Sequence, residues 1–328
     1  MIKNLKSGDM IDRLDVLVDE SSLAETKKGK PYVRMKVRDK TGELQCVKWE
    51  YDKEIDKPLI AAGKVVKIYG TIGEYAGNLQ CTVSSLAPST KDPMEFAKTS
   101  RFPVDEMWDE LVNIVDGFED SLTKYVAKEM LFSHEKVIDA FKKAPAARGV
   151  HNAWYGGLLE HVLSMTRIAE KTVEHYKKMY KAPISKDKVL FGVIMHDAGK
   201  IIEYDFSNPS FSTTGLGLLT NHIVLGPAWV YEKANKYNQA GKWTGTLDEF
   251  KIERSLLMHL IASHHGVMEW GSPVVPTTLE AIILHHIDNL DSKVMHALEL
   301  IEKGEKDIEG FSEKSWIGRT SYFLGGKE

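Results

Sequence analysis

The residues of this chain best suited to chemistry are a histidine–aspartate pair, His196-Asp197, closing an apolar run Val193-Ile194-Met195. Two more groups lie downstream: Ser263-His264-His265-Gly266, and Leu284-His285-His286-Ile287-Asp288 with Asp291 just beyond. Imidazoles and carboxylates set in apolar helices need compensation, because burying them unpaired costs far more than leaving them in water. A divalent metal is the simplest compensation, since imidazole suits transition metals and carboxylate suits harder cations. The chemistry such a centre supports is metal-dependent hydrolysis.

Helical spacing selects among the twelve histidines. Along 156–180, His161 shares a face with Leu158, Val162, Met165, Ile168 and Ala169, so it points inward. On 186–199, His196 follows Val193 by three residues, and Asp197 lies about 100° further round the helix. Gly199 suits a helix stop. His264 falls on the face of Leu257, Leu260 and Ile261, with His265 beside it, while Asp288 shares the last long helix with Leu284. His222 is a further inward candidate.

A lone histidine on an apolar face is usually a hydrogen-bonded core residue, and that reading is kept for His134, His151, His175, His259 and His296. For His161, His196, Asp197, His264, His265 and Asp288 together, convergence on metal is the expectation. Lys200 either reaches a non-bridging phosphate oxygen or is a solvated cation near a helix C-terminus. Asp291 either orients a ligand imidazole or is an exposed helix carboxylate.

The chain of 328 residues, 43% hydrophobic and 27% charged, has room for two ordinary domains and is neither disordered nor membrane-like in composition. A formal net charge of -4 gives no global attraction to polyanions, so a nucleic-acid site would have to be a local basic patch. The two cysteines, Cys46 and Cys81, are too few for a disulfide framework and read as half-buried strand residues in a reducing compartment. The N-terminus lacks a signal-peptide core, and no run of about 18 apolar residues occurs. A cytoplasmic protein without a membrane partner is expected.

The elements that must carry these residues divide the chain. Residues 32–38 alternate, with Val33, Met35 and Val37 on one face and Arg34, Lys36 and Arg38 on the other. Strands at 44–49, 65–72 and 78–83, with an opening one near 10–18 and an interruption at 52–62, predict a five-strand Greek-key barrel of OB type. A Pro-containing polar stretch follows, and then helical spacing at 104–116, 120–131, 134–143, 156–180, 186–199, 216–237, 249–264 and 277–303. The fold class is thus multidomain α and β, a small N-terminal β-barrel over 1–87, a linker over 88–103, and an all-α bundle over 104–328. The tail beyond residue 315 is open between strand and loop.

In the barrel, Lys27, Lys28, Lys30, Arg34, Lys36 and Arg38 cluster within a dozen residues, and Tyr32, Trp49, Tyr69 and Tyr75 interleave with them. Single-strand binders combine such a cationic groove with aromatic platforms. Lys28, Lys30, Tyr32, Arg34, Lys36, Arg38, Trp49 and Tyr75 are the candidates for nucleic-acid contact. The alternative is that Trp49 and Tyr69 are barrel core and the basic strip a solvated face.

The order His161, His196-Asp197 and a distant Asp288 resembles the HD-domain phosphohydrolase superfamily, a helical bundle around a divalent-metal centre. The longer set is more specific: 156–161 (Gly-Gly-Leu-Leu-Glu-His), 263–273 (Ser-His-His-Gly-Val-Met-Glu-Trp-Gly-Ser-Pro) and 284–293 (Leu-His-His-Ile-Asp-Asn-Leu-Asp-Ser-Lys). With the barrel before it, this set resembles the YhaM-type 3′→5′ exoribonucleases over nearly the whole chain. The resemblance implies His161, His196, Asp197 and Asp288 as ligands of one ion. By similarity to two-metal HD proteins, it implies His222, His264 and His265 for a second ion. Asn221 stands where the resemblance implies a glycine before the His222-Ile223 pair.

The implied activity is metal-dependent 3′→5′ exonuclease action on single-stranded RNA, with DNA left open as a second substrate, releasing nucleoside monophosphates. Asp197 would bridge the ions, with Lys200 beside it in the catalytic machinery. The implied cofactor is one or two divalent ions, manganese ahead of magnesium, iron or zinc. RNA is favoured over DNA as partner, and homo-oligomerisation is left open. Two rivals stand beside this reading: an HD phosphohydrolase of small nucleotides, and a non-catalytic single-strand-binding adaptor whose HD centre is structural.

Overall fold

A computed structural model describes residues 1–147, 152–303, 309–312, 314–315 and 320–325. The chain divides into two compact units: Met1–Lys98 with Asp205–Ser212, and Thr99–Tyr204 with Thr213–Glu328. The boundaries expected at 87 and 103 therefore differ from the observed division, and the barrel unit includes a segment distant in sequence.

In the first unit, β1 (Met10–Glu25), β2 (Pro31–Asp39), β3 (Gly42–Lys48), β4 (Val65–Tyr75) and β5 (Asn78–Pro88) close into a barrel of order β1-β2-β3-β5-β4. Closure leaves no open strand edge. All neighbours are antiparallel except β3 and β5, which are parallel. Strand β1 runs well past the expected 10–18 because it pairs with both β4 and β2, bending at register shifts between Ile11 and Leu14 and between Val18 and Glu20. Val33, Met35 and Val37 are buried with Val16, Val18, Ile68 and Ile72, as alternation demands.

Arg38 departs from that alternation and is buried. Its Nε lies 3.0 Å from Asp19 Oδ1, and its Nη2 donates to the Pro209 carbonyl, a residue of the distant segment. Burial pushes the Asp19 carboxyl up to about 6 despite the guanidinium. Arg38 is thereby removed from the exposed basic strip.

The interruption at 52–62 contains α1 (Lys53–Asp56), capped by Asp52, whose carboxylate accepts the Glu54 and Ile55 N–H groups. The stretch expected as linker is partly folded. Pro93–Phe96 forms a 3-10 turn with an Asp92/Glu95 capping box, and Phe96 is buried against Leu17 and Val65. Cys46 and Cys81 are register partners on β3 and β5 and are fully rather than half buried.

The second unit contains α2 (Val104–Asp116), α3 (Ser121–Leu131), α4 (Glu135–Lys143), α5 (Gly157–Tyr180), α6 (Lys186–Met195), α7 (Lys200–Glu203), α8 (Gly215–Gln239), α9 (Leu247–Ser263) and α10 (Leu279–Lys303). Side-chain caps start several of them: Asp120 accepts from the Thr123 N–H, Ser185 from Lys188, and Thr246 forms a capping box with Glu249. Helix α6 is buried from Val189 to Met195, apolar all round, and packs against α3, α5, α9 and α10. A helix apolar on every face belongs in the middle of a bundle. It stops at Met195, earlier than the expected 199, and His196 is its C-cap.

Isolated bridges join Phe311 to Phe323 and Ser315 to Thr320, so the described tail is bridged extended chain; His151 and residues 316–319 lie outside the described residues. No described helix is long and apolar enough to cross a membrane.

Candidate metal centre

Five helices of the second unit deliver the expected residues. His161 comes from α5, His196 and Asp197 from the end of α6, His222 from α8, His264 and His265 from the end of α9, and Asp288 from α10. Ligand atoms of His161, His196 and Asp197 all lie within 4.8 Å of one another, and so do those of His222, His264 and His265. Asp197 stands between the groups: Oδ2 is 3.3 Å from His196 Nε2, while Oδ1 is 3.5 Å from His222 Nε2 and 3.8 Å from His264 Nε2. Asp288 Oδ1 lies 3.3 Å from His161 Nε2 and 3.9 Å from His196 Nε2.

Each of these imidazoles is held from behind through Nδ1. The acceptors are Asp291 Oδ2 for His161 (2.7 Å), Val193 O for His196 (2.8 Å) and Glu203 Oε2 for His222 (2.5 Å). Ile261 O serves His264 at 2.6 Å, and Trp270 O serves His265 at 2.9 Å. A neutral imidazole that donates from Nδ1 presents the bare lone pair of Nε2 on the other side, the form that binds metal; His161, between Asp288 and Asp291, must lose a proton to reach it. Asp291, buried and also receiving the Ser164 hydroxyl, takes the orienting position of the two weighed for it.

The electrostatics agree with a site built for cations. Burial pushes the Asp197 carboxyl up, but Lys200 and the surrounding imidazoles hold it well below the usual carboxylate range. Burial likewise opposes ionisation of Asp288, and the His161 contact and the neighbouring imidazoles keep it ionised. Burial and the neighbouring His196 and His265 keep His264 neutral. His161 goes the other way: burial lowers it, but Asp288 and Asp291 bring it up to about 9.

A divalent ion fits this donor set on one direct observation. His196 Nε2, Asp197 Oδ1 and His222 Nε2 are buried atoms without a hydrogen-bond partner. Orphaned buried polar atoms are costly, and several converging on one locus are what coordination would satisfy.

Lys200 is neither at a surface nor aimed outward. It is buried, and Nζ donates to Asp197 Oδ2 at 2.6 Å and to the Ala146 carbonyl at 2.5 Å. Both alternatives weighed for it, a phosphate contact and a solvated cation, give way to an internal ion pair with Asp197. Gly199 also differs from the expected helix stop. Its φ of -64° is ordinary, and what requires glycine is space: a Cβ there would come within 2.8 Å of His222 Cα. At Gly266, φ is +80° and a Cβ would lie 2.0 Å from the His285 ring, whose Nδ1 in turn contacts the His264 carbonyl at 2.8 Å.

The barrel candidates separate into two sets. Lys28, Lys30 and Arg34 are exposed, Tyr75 is 71% exposed and Trp49 is 51% exposed, so Trp49 is not barrel core. The Trp49 ring is tilted against Tyr32 with centroids 4.8 Å apart at 32°, and Arg34 Nη2 donates to the Tyr32 hydroxyl at 2.7 Å; Tyr32, expected as a contact residue, is itself buried and supports the Trp49 ring from beneath. Lys36 is tied to Glu43 at 2.9 Å, and Arg38 is interior.

A family model described as the HD domain matches residues 158–293, and one described as an OB-fold nucleic acid binding domain matches residues 17–88. A curated 3′-5′ exoribonuclease YhaM from Bacillus pumilus is 31% identical over 315 residues, covering 93% of this chain and 94% of that protein. The chain belongs to the YhaM family. A second YhaM, from Listeria monocytogenes, is 31% identical over 315 residues, covering 94% of this chain and 92% of its own. Among solved structures, the second OB-fold domain of replication protein A from Methanococcus maripaludis is similar at 14% identity and a TM-score of 0.23, over 28% of this chain and 95% of that one.

Within this member of the YhaM family, Glu203 and the backbone carbonyls of Val193, Ile261 and Trp270 escaped sequence reasoning. The carbonyls carry no side-chain signal at all. Glu203 had one, a carboxylate three residues beyond Lys200 in the same segment as the His–Asp pair.

Proposed function

We propose that this chain is a metal-dependent 3′→5′ exoribonuclease that shortens single-stranded RNA to nucleoside monophosphates. The observation that carries the reading is the inward convergence of His196 Nε2, Asp197 Oδ1 and His222 Nε2 without partners in a chain of the YhaM family. His161, His196, Asp197 and Asp288 would hold one divalent ion, and His222, His264 and His265 a second, with Asp197 offering an oxygen to each. When bound, such ions lower the pKa of water toward about 7 and stabilise charge on phosphoryl oxygens. We assign manganese ahead of magnesium, iron or zinc.

The chain's own residues perform the preparation. Lys200 keeps Asp197 ionised and oriented. Asp291, Glu203 and three backbone carbonyls hold the five rings through Nδ1, so that each turns Nε2 toward the carboxylates of the centre. On the barrel, Trp49 over Tyr32, with Arg34 alongside, is a platform for an unstacked base, and Lys28, Lys30 and Tyr75 extend it.

The test is digestion of single-stranded RNA labelled at the 5′ or the 3′ end, with manganese supplied. A ladder of stepwise-shortened 5′-labelled products and immediate release of the 3′ label as mononucleotide support the reading. Hydrolysis of free nucleotides with intact RNA would replace it with a small-nucleotide phosphohydrolase. RNA binding without turnover would replace it with an adaptor.

A further inference from the structure

We propose that Glu203 is a positioning residue that fixes His222 as a ligand of the second ion, and that the break in α8 at Asn221 brings the two residues together. The inference rests on the metal-dependent reading above and concerns one half of that centre.

Helix α8 is two helical segments joined at Asn221, whose φ of 44° and ψ of 173° are non-helical. The chain therefore restarts its helix at His222, whose N–H stands in the first turn of the new segment, where an acceptor from outside the helix is needed. Glu203 Oε2 supplies it at 2.7 Å. The same oxygen accepts His222 Nδ1–H at 2.5 Å, so one carboxylate binds both the backbone and the ring of one residue. Asn221 serves the next exposed donor, its Oδ1 accepting the Ile223 N–H at 3.1 Å.

Among the other imidazoles, His161 takes the Asp291 carboxylate from α10 and the remaining three take backbone carbonyls. His196, His264 and His265 each direct Nδ1 to a carbonyl three to five residues away on their own chain segment. With α8 interrupted immediately before it, His222 is oriented from Glu203, 19 residues earlier, at the end of the four-residue α7. Gly199 leaves room for the His222 backbone beside the His196-Asp197 turn. The result is an Nε2 that is buried, unpartnered and 3.5 Å from Asp197 Oδ1. Asn221 stands where the resemblance implies a glycine, and its φ of 44° with ψ of 173° lies outside the left-handed helical region that asparagine tolerates, so the break is a strained one.

The test is calorimetric titration of manganese into the chelator-treated full chain, with thermal unfolding and RNA digestion measured beside it. The wild-type chain is expected to take up two ions. Glu203→Ala is expected to keep one at wild-type affinity and to weaken the other roughly 10–100-fold, the usual effect of removing a group that orients a ligand. Glu203→Gln keeps the shape and one acceptor oxygen. It is expected to restore the unfolding midpoint and to recover only part of the lost affinity.

Two ions bound with unchanged affinity in Glu203→Ala, even with a lowered unfolding midpoint, would make Glu203 merely structural and overturn the inference. Uptake of a single ion by a wild-type chain that still degrades RNA would overturn it too, while leaving the exonuclease reading intact. A wild-type chain that binds no metal and leaves RNA whole defeats both.

Discussion

Lys200 and Asp197 form an ion pair sealed inside the helical unit, with Nζ 2.6 Å from Oδ2 and the Ala146 carbonyl taking a second Nζ hydrogen at 2.5 Å. One carboxylate thus has a permanent cation on Oδ2 and two imidazoles, His222 and His264, facing Oδ1. Asp197 cannot be replaced as a simple ligand, because its removal strands a buried ammonium.

That pairing separates stability from catalysis. Asp197→Ala should lose hydrolysis and also unfold more easily by about 3–5 kcal/mol, the usual cost of orphaning one partner of a buried pair. Adding Lys200→Met should return most of the stability and none of the activity. Chemical denaturation and RNA digestion of the single and double variants measure this; a double variant no more stable than Asp197→Ala would count against it.

The charge state of His161 predicts a pH dependence of the metal-free protein. Its folded pKa of about 9 exceeds the ordinary 6.5 because Asp288 and Asp291 outweigh burial. The contribution to stability is fully present below pH 6.5 and is lost as pH rises through 9. Its size is at most about 3 kcal/mol. Chelator-treated wild type should therefore melt at progressively lower temperature across that window, and His161→Gln should not. Added manganese should remove the trend, because coordination requires the neutral ring. Parallel melting profiles for wild type and variant would contradict the assignment.

The barrel platform predicts a defect confined to long substrates. Trp49→Ala removes an exposed ring tilted against Tyr32 and should weaken single-stranded RNA binding by about 1–3 kcal/mol, roughly 5–150-fold in Kd. Hydrolysis of a small phosphodiester ester should be unchanged. Lys36→Ala, whose ammonium is engaged by Glu43, should weaken binding far less. Equal losses for the two variants in a fluorescence-anisotropy titration would argue for diffuse electrostatic binding instead.

The sequence by itself determined which residues would be buried and on which helices. Helical spacing placed His161 with Leu158 and Val162, and His264 with Leu257 and Ile261, and strand alternation placed Val33, Met35 and Val37 inside the barrel. Periodicity is a property of one element and can be read without knowing its neighbours. Only the tertiary structure decided what each polar group meets: Lys200 turned inward to Asp197, Arg38 drawn under Pro209, Glu203 brought to His222 by a break in α8. Those outcomes depend on atoms supplied by distant segments and on the loss of water around them. A local pattern of side chains encodes neither.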